Sequence, residues 1–486
     1  MVPLESLEVS VINPPDYTEL LQEIKRLNAR IDELESKNKA LSDENADLKK
    51  LLHEQGALKG AKQPEFKEDY SVEKSKGFGK KGRGRQATGR RSQDEKADQV
   101  SHHENLYEVG VAPEECIEQR QQFAWRFQDG RAEYVCYHLY GLPGSQSLPT
   151  VPGLRNSRSE YGIEIILTVS FLHYWIGISL DHVCAVIRFF TGLSLTKSQS
   201  NSLLAQLSRD WEQEYEHIAE LLSYQMVIYI DETGWKVGKK ACYTWAFSTL
   251  QHVLFRCGVS RSKSEAQAVL GETFGGIGVT DDYAAYKSLF TQHQLCWAHL
   301  LRKAIKLMLQ NPTESVYREF LDELYAIYQR SVRWQQDQRL SVGRPQKVEA
   351  LKALILELCT RTGEALDSEM SGPEQTFIRL QNELVKGIDA LFVFVAHPEV
   401  EATNNRSERN VRREAEVRKG GRTSKSDAGA KRRGIIMTVL ATLNTRFEQF
   451  TLEHLVDEMK RWAEVGVSTF QAELTNIVNP LPPLIV

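Results

Sequence analysis

Apolar residues near the start of the chain recur at intervals of three and four. In "YTELLQEIKRLNARIDELESKNKALSDENADLKKLLHE" (17–54), Ile24, Ile31, Asn38, Asn45 and Leu52 take the a positions of a heptad, and Leu20, Leu27, Leu34, Leu41 and Leu48 the d positions. So narrow a seam predicts a coiled coil, because a helix lying on a globular surface needs a broader apolar stripe. Isoleucine at a with leucine at d favours two parallel strands, and an asparagine at a pairs best with its counterpart in a homodimer. Residues 1–16 read as an N-terminal tail.

The periodicity then stops, and 55–110 reads as a basic disordered linker. Within it "KSKGFGKKGRGRQATGRR" (74–91) sets Lys80, Lys81, Arg83, Arg85, Arg90 and Arg91 among glycines. Such a tract can neutralise DNA phosphates, and "GRGR" is loosely like an arm laid in an A·T-rich minor groove. A solvated linker accounts for the same charges equally well.

Residues 111–225 read as a mainly helical N-terminal region, a candidate for DNA binding without a specific recognition-helix signal, with apolar segments such as "IEIILTVSFLHYWIGI" around a turn-rich interruption. The texture changes at 226–300, where "MVIYID", "CYTWAFST", "HVLFRCGVS" and "GIGVTDD" are strand-like and "KSEAQAVLGETF" is helical. That alternation predicts an α/β fold, a mixed sheet with helices packed on it. Residues 301–399 return to helical spacing and interrupt the sheet domain, 400–465 close it, and 466–486 form a C-terminal tail.

A chain of 486 residues is long for one ordinary domain. It contains no run of eighteen uncharged apolar residues, and "MVPLESLEVS" lacks the basic and apolar regions of a secretory signal, so the cytoplasm is the expected compartment. Seven scattered cysteines without a CxxC pair argue against a disulfide framework and a four-cysteine zinc site. The net charge of −4 hides segregated blocks, and the most basic of these follows the candidate chemistry.

That chemistry rests on acids. Asp231 ends the strand-like "VIYI", and Asp281 ends "GIGVT". Acids at neighbouring strand ends repel unless a cation lies between them, and hard oxygen ligands suit Mg²⁺ or Mn²⁺. Glu408 is the third candidate, in the first turn of a helix that Asn404 or Asn405 can cap. Arg409, Arg412, Arg413, Arg418, Lys419, Arg422, Lys425, Arg432 and Arg433 follow it, cations for the phosphates of DNA beside acids for metal. Strand alternation lets only one of Asp231 and Glu232, and one of Asp281 and Asp282, reach the same site. Spacing leaves both choices open, and it leaves Asp231 balanced between a metal ligand and a turn acid.

In this order, "YIDETGWKV", "VTDDYAAYKSL", "CWAHLLRK" and "TNNRSERNVRR" resemble the insertion-sequence 66 family of bacterial transposases, over roughly residues 150–465. The resemblance implies an RNase H-like catalytic domain with a helical insertion between the second and third acids. It places the family's Asp, Asp, Glu triad on Asp231, Asp281 and Glu408, with Asp282 leaving the second position open by one residue. His299, Asn404 and Asn405 become supporting residues. Cys296 and His299 of "CWAH" lack further zinc ligands and read as a packed cysteine and a hydrogen-bonded histidine. Members often carry a cysteine-paired, zinc-finger-like segment before the catalytic domain; here Cys116, Cys136 and His138 would form only an incomplete set.

The implied activity is that of a DNA transposase, which uses two Mg²⁺ or Mn²⁺ ions to cleave strands at the ends of its element and join them to target DNA. Accessory proteins of the element are further expected partners. A structure-specific nuclease of the same fold, cutting without joining, and an inactive DNA-binding relic are the alternatives. Deleting residues 17–54 is expected to leave a monomer by light scattering, and an unchanged dimer would refute the coiled-coil assignment.

Overall fold

Asp129 and Gly130 both have positive φ, 47° and 76°, as a two-residue hairpin matched to strand twist requires. They join β2 (Ile117–Gln128) to β3 (Arg131–Gly141) in antiparallel register. β1 (His102–Tyr107) adds to the far side of β3 in parallel, and α1 (Gln93–Ala97) precedes it behind a Ser92 capping box. In this computed structural model residues 92–145, 147–286, 288–340, 342–361 and 371–478 are described. The tail 1–16, the proposed coiled coil and the tract with Lys80, Lys81, Arg83 and Arg85 lie outside them.

The three-stranded sheet corrects two expectations: residues 92–110 hold a helix and a strand in place of a continuing linker, and the mainly helical region opens with two strands, 117–128 and 131–141, before its long helices. The missed signal is local. "FAWRFQDGRAEYVCYHLY" is rich in aromatic residues, and its Asp-Gly pair is a strong hairpin cue. Helices begin afterwards with α2 (Ile163–Ser170), which widens into a turn over Phe171–Trp175. α3 (Leu180–Thr191), α4 (Lys197–Asp210) and α5 (Glu212–Ser223) follow. Ser179 caps α3, and Thr196 with Gln199 forms a capping box on α4.

The second sheet is built from β4 (Val227–Val237), β5 (Lys240–Ser248), β6 (Val253–Val259), β7 (Phe274–Thr280) and β8 (Phe290–Leu295), with α6 (Lys263–Leu270) between β6 and β7. Its order is β6-β5-β4-β7-β8. β5 is antiparallel to β4 and β6, whereas β4, β7 and β8 run parallel. Between β8 and the third candidate acid come α7 (Trp297–Gln310), α8 (Ser315–Gln336), α9 (Arg344–Arg361), α10 (Gly372–Lys386) and the short α11 (Val393–Ala396). The chain closes with α12 (Asn405–Lys419), α13 (Asp427–Arg446), α14 (Leu452–Val465) and α15 (Thr469–Val478). Part of the expected tail is thus a helix, held by the fully buried Phe470.

Alternation along β4 divides the interior. Ile228 and Ile230 join a core with residues of α2 to α5 and α13, while Tyr229 joins Ile277, Val279 and Leu295 in a core shared with α7 to α11. At the outer edge, α13 supplies what a further strand would. Thr438 Oγ1 accepts the Phe255 N–H at 2.9 Å. Thr442 Oγ1 accepts from Val253 N at 3.1 Å and donates to its carbonyl at 3.0 Å. One turn earlier is Gly434, where a Cβ would stand 2.9 Å from the Phe255 carbonyl oxygen. Glycine there permits the approach.

Arg433 is not available to DNA. Its guanidinium grips the fully buried Glu414 of α12 at 2.6 and 2.9 Å and lies 4.9 Å from the Trp235 ring centroid. Burial disfavours both charges, so each depends on the other. Glu414→Ala is expected to destabilise the protein by about 3–5 kcal/mol, measured by denaturant unfolding; a loss below about 1 kcal/mol would show the pair to be dispensable.

Candidate active site

Asp231 lies within β4 rather than at its end, correcting the sequence reading. Pairing with β5 continues to Val237, opposite Lys240. What stops is pairing with β7, which runs only from Val227 opposite Ile277 to Tyr229 opposite Val279. Asp231 therefore lies just beyond the paired part of the parallel interface. Asp281 follows the last residue of β7, and its Oδ1 accepts the Tyr283 N–H at 3.0 Å, fixing the turn.

Glu408 arrives from far along the chain on α12, whose start is tied to the sheet. Asn404 donates its side-chain N–H to the Ile230 carbonyl at 2.7 Å and its backbone N–H to Cys296 Sγ at 3.1 Å. Ser407 donates to the Ala246 carbonyl at 2.9 Å, and Asn410 to Ser248 Oγ at 3.0 Å. The expected asparagine cap is not formed: Asn404 occupies the N-cap position, but its side chain makes no capping bond. The buried Asn404 amide serves the strand instead, and Asn405 is exposed.

The electrostatics link the three acids. Burial pushes the Asp231 carboxyl up to about 8, and the charges of Glu232, Asp281 and Glu408 push the same way, against one hydrogen bond from the Glu232 N–H. Asp281 is half-buried whereas Asp282 is exposed. Glu232 has other partners: Arg261 Nε and Nη2 reach it at 2.8 and 2.7 Å, and the buried Tyr286 hydroxyl donates to its second oxygen. Burial raises the Tyr286 phenol well above its usual range, with Glu232, Asp231 and Asp281 adding to the shift.

Glu408 is held by α7. Arg302 Nη2 is 2.7 Å from Oε1 and 2.9 Å from Oε2. His299 Nδ1 is 3.4 Å from Oε1, and Cys296 Sγ 3.8 Å. The ligand atoms of Cys296, His299 and Glu408 fall within 4.8 Å of one another, but Cys296 already accepts the Asn404 N–H. Sequence reasoning overlooked Arg302, although its position three residues after His299 places both on one helical face.

A family model described as Transposase IS66 family matches residues 158–432, more than half of the chain. The chain belongs to that family. No curated protein matches it. The matched span of this transposase includes Asp231, Asp281, Glu408 and the helices from α7 to α11. No helix among the described residues is long and apolar enough to cross a membrane.

The transposase's basic residues divide after Glu408. Arg409, Arg412, Arg413 and Arg422 line a cleft of about 350 Å³ with Trp175, Ile176 and Gly177. The Arg413 guanidinium lies 3.5 Å from the Trp175 ring centroid, and burial lowers its basicity. Lys419 and Lys425 are exposed, and Arg418 donates to the Gly234 carbonyl at 2.8 Å. Arg432 reaches Asn201 Oδ1 of α4 at 2.8 Å.

The incomplete cysteine set also changes membership. Cys116 is not part of it; His103 of β1, opposite Cys136 in the register, joins Cys136 and His138. His103 Nδ1 and His138 Nε2 are 2.9 Å apart, and Glu118 holds the other His138 nitrogen at 2.9 Å. Two imidazoles and a thiol on one strand face, with a carboxylate behind one of them, are donors that a borderline-soft divalent ion accepts.

A carboxyl raised in the folded state stays protonated there while its unfolded counterpart ionises, so stability falls as pH rises through that interval. For Asp231 the interval runs from its usual value of 3.8 to about 8. In metal chelator, Asp231→Asn is therefore expected to stabilise the protein progressively from pH 5 to pH 8, reaching on the order of 2 kcal/mol. Melting curves across that range check it, and parallel curves for variant and wild type would contradict it.

Proposed function

We propose that this IS66-family transposase cleaves DNA strands at the ends of its element and joins them to target DNA, using Asp231, Asp281 and Glu408. The observation that carries the reading is the set of charges that meet at Asp231: a desolvated carboxyl faces Glu232, which Arg261 and Tyr286 already engage, and then Asp281 and Glu408. A desolvated Asp231 carboxylate close to the charges of Asp281 and Glu408 gains its ionised form by sharing a cation with them. Their all-oxygen donor set fits Mg²⁺ or Mn²⁺. The buried Asn404 Oδ1, without a hydrogen-bond partner, adds an unsatisfied acceptor beside them.

The order β6-β5-β4-β7-β8, three antiparallel strands followed by two parallel ones, supports an RNase H-like catalytic domain. In this reading Asp231, Asp281 and Glu408 would hold two divalent ions. When bound, the pair supplies acidity to an attacking water or 3′-hydroxyl and charge stabilisation to the leaving 3′-oxygen. The chain's own residues do the rest. β4 and the Asn404 bond fix Asp231, and the Tyr283 N–H fixes Asp281. Arg261 and Tyr286 keep Glu232 out of the set. Arg409, Arg412, Arg413 and Arg422, with Arg418, Lys419 and Lys425 beyond them, bind phosphates of the double-stranded DNA and orient the scissile strand. His299, Asn404 and Asn405 support the third acid. The N-terminal seam pairs two copies so that two element ends are held together, in the cytoplasm, with Lys80, Lys81, Arg83 and Arg85 binding further phosphates.

The test is Mg²⁺-dependent nicking and joining of duplexes that carry the element's terminal repeats. Asp231→Asn, Asp281→Asn and Glu408→Gln are each expected to abolish both reactions while retaining DNA binding. Undiminished nicking by any variant removes that residue from the triad. Cutting without joining by the wild type identifies a nuclease instead, and binding without cutting identifies an inactive relic.

A further inference from the structure

Glu408 has no uncommitted oxygen. Both of its carboxylate oxygens meet one nitrogen, Arg302 Nη2, at 2.7 and 2.9 Å, and Oε1 also faces His299 Nδ1 and Cys296 Sγ. A donor shared almost equally by two carboxylate oxygens lies near the bisector of the group. A divalent ion bound in bidentate fashion would take the same place. Arg302 and such an ion therefore compete for the same lone pairs.

The two ends of this contact differ. The Glu408 side chain is 13% exposed, carried by a helix that Asn404, Ser407 and Asn410 tie to the sheet. The Arg302 side chain is 54% exposed, and its Nε donates to the Ala298 carbonyl of its own helix at 3.1 Å. When the pair opens, Arg302 is the partner with room to move.

We propose that Arg302 is a displaceable positioning residue: it holds the Glu408 carboxylate in place in the metal-free protein, yields it to a divalent ion, and then pairs with a phosphate of the bound DNA. The proposal rests on the reading of Glu408 as a metal ligand, and it makes metal loading and DNA engagement reinforce each other. An arginine left on Glu408 opposes the ion, whereas a phosphate draws it away.

Mn²⁺ binding to the full chain without DNA, followed by the electron paramagnetic resonance of free Mn²⁺, tests the first half. Arg302→Met keeps the apolar stem and removes the competing charge. Because a half-exposed ion pair contributes modestly, this variant is expected to bind Mn²⁺ about two- to fivefold more tightly. Arg302→Lys, which keeps the charge but loses the Nε bond that anchors the side chain to the Ala298 carbonyl, is expected to fall between it and the wild type. Unchanged or weaker Mn²⁺ binding by both variants, with melting temperatures like the wild type's, overturns the proposal. Glu408→Gln separates the two layers. If it leaves Mn²⁺ binding intact, the metal-ligand reading itself fails; if it weakens binding while the Arg302 variants do nothing, only the displacement fails. The second half is read from DNA affinity against salt concentration. In Ca²⁺, Arg302→Met is expected to lower the salt slope by about one phosphate contact, and in chelator to leave it unchanged. Equal slopes in Ca²⁺ overturn the transfer to phosphate.

Discussion

The docking of α12 on the sheet is the constraint on which the rest of the site depends. Asp231 and Glu408 are far apart in sequence, and the helices α7 to α11 intervene. What joins them is a set of short polar bonds: Asn404 to the Ile230 carbonyl, Ser407 to the Ala246 carbonyl and Asn410 to Ser248. These bonds are buried or partly buried, so leaving one donor without its acceptor carries a full desolvation penalty. The buried Glu414 on the same helix, locked to Arg433 of α13, holds its other half. Position is thus secured at both ends of a helix whose mean composition is strongly polar.

That composition also explains why one helix can serve acid and base chemistry. Glu408 and Glu414 are drawn inward by specific partners, while Arg409, Arg412 and Lys419 remain exposed. Arg413 is intermediate, stacked on Trp175 and partly desolvated. The cleft beside Trp175 collects arginines with Glu416 as the acid in its lining. The cations of α12 thus stay separate from the acids drawn inward: Arg413 stacks on Trp175, Arg418 meets the Gly234 carbonyl, and Arg409 and Arg412 face solvent.

Much of this was legible in the sequence where a physical pattern was strong. The apolar run into Asp231 announced a buried strand, and the spacing after residue 300 announced helices. The family was legible because several short motifs kept their order, as the match over 158–432 shows. Other features were hidden for identifiable reasons. The strand signal fades at Asp231, since acids and glycine are poor strand formers, yet pairing with β5 carries the strand through "DETGW". The β1–β3 sheet is marked locally by the Asp-Gly turn between β2 and β3, but the parallel addition of β1 to β3 leaves no hairpin cue at all. The Arg302 contact with Glu408 and the His103 contact with Cys136 are tertiary, joining elements whose proximity no local pattern records.

The covered edge of β6 bears on how the molecule is made. The hydrogen bonds from Val253 and Phe255 reach threonines 189 and 183 positions later. While the ribosome is still synthesising the intervening helices, that edge has no partner of its own. An apolar strand with open N–H groups is a template for pairing with another chain. The interval between β6 and α13 is thus the period of greatest exposure to misassembly, and a chain that ends before Thr438 keeps the edge open permanently. In the finished protein the same threonines prevent the sheet from being extended at this side, so copies that associate must do so through other surfaces.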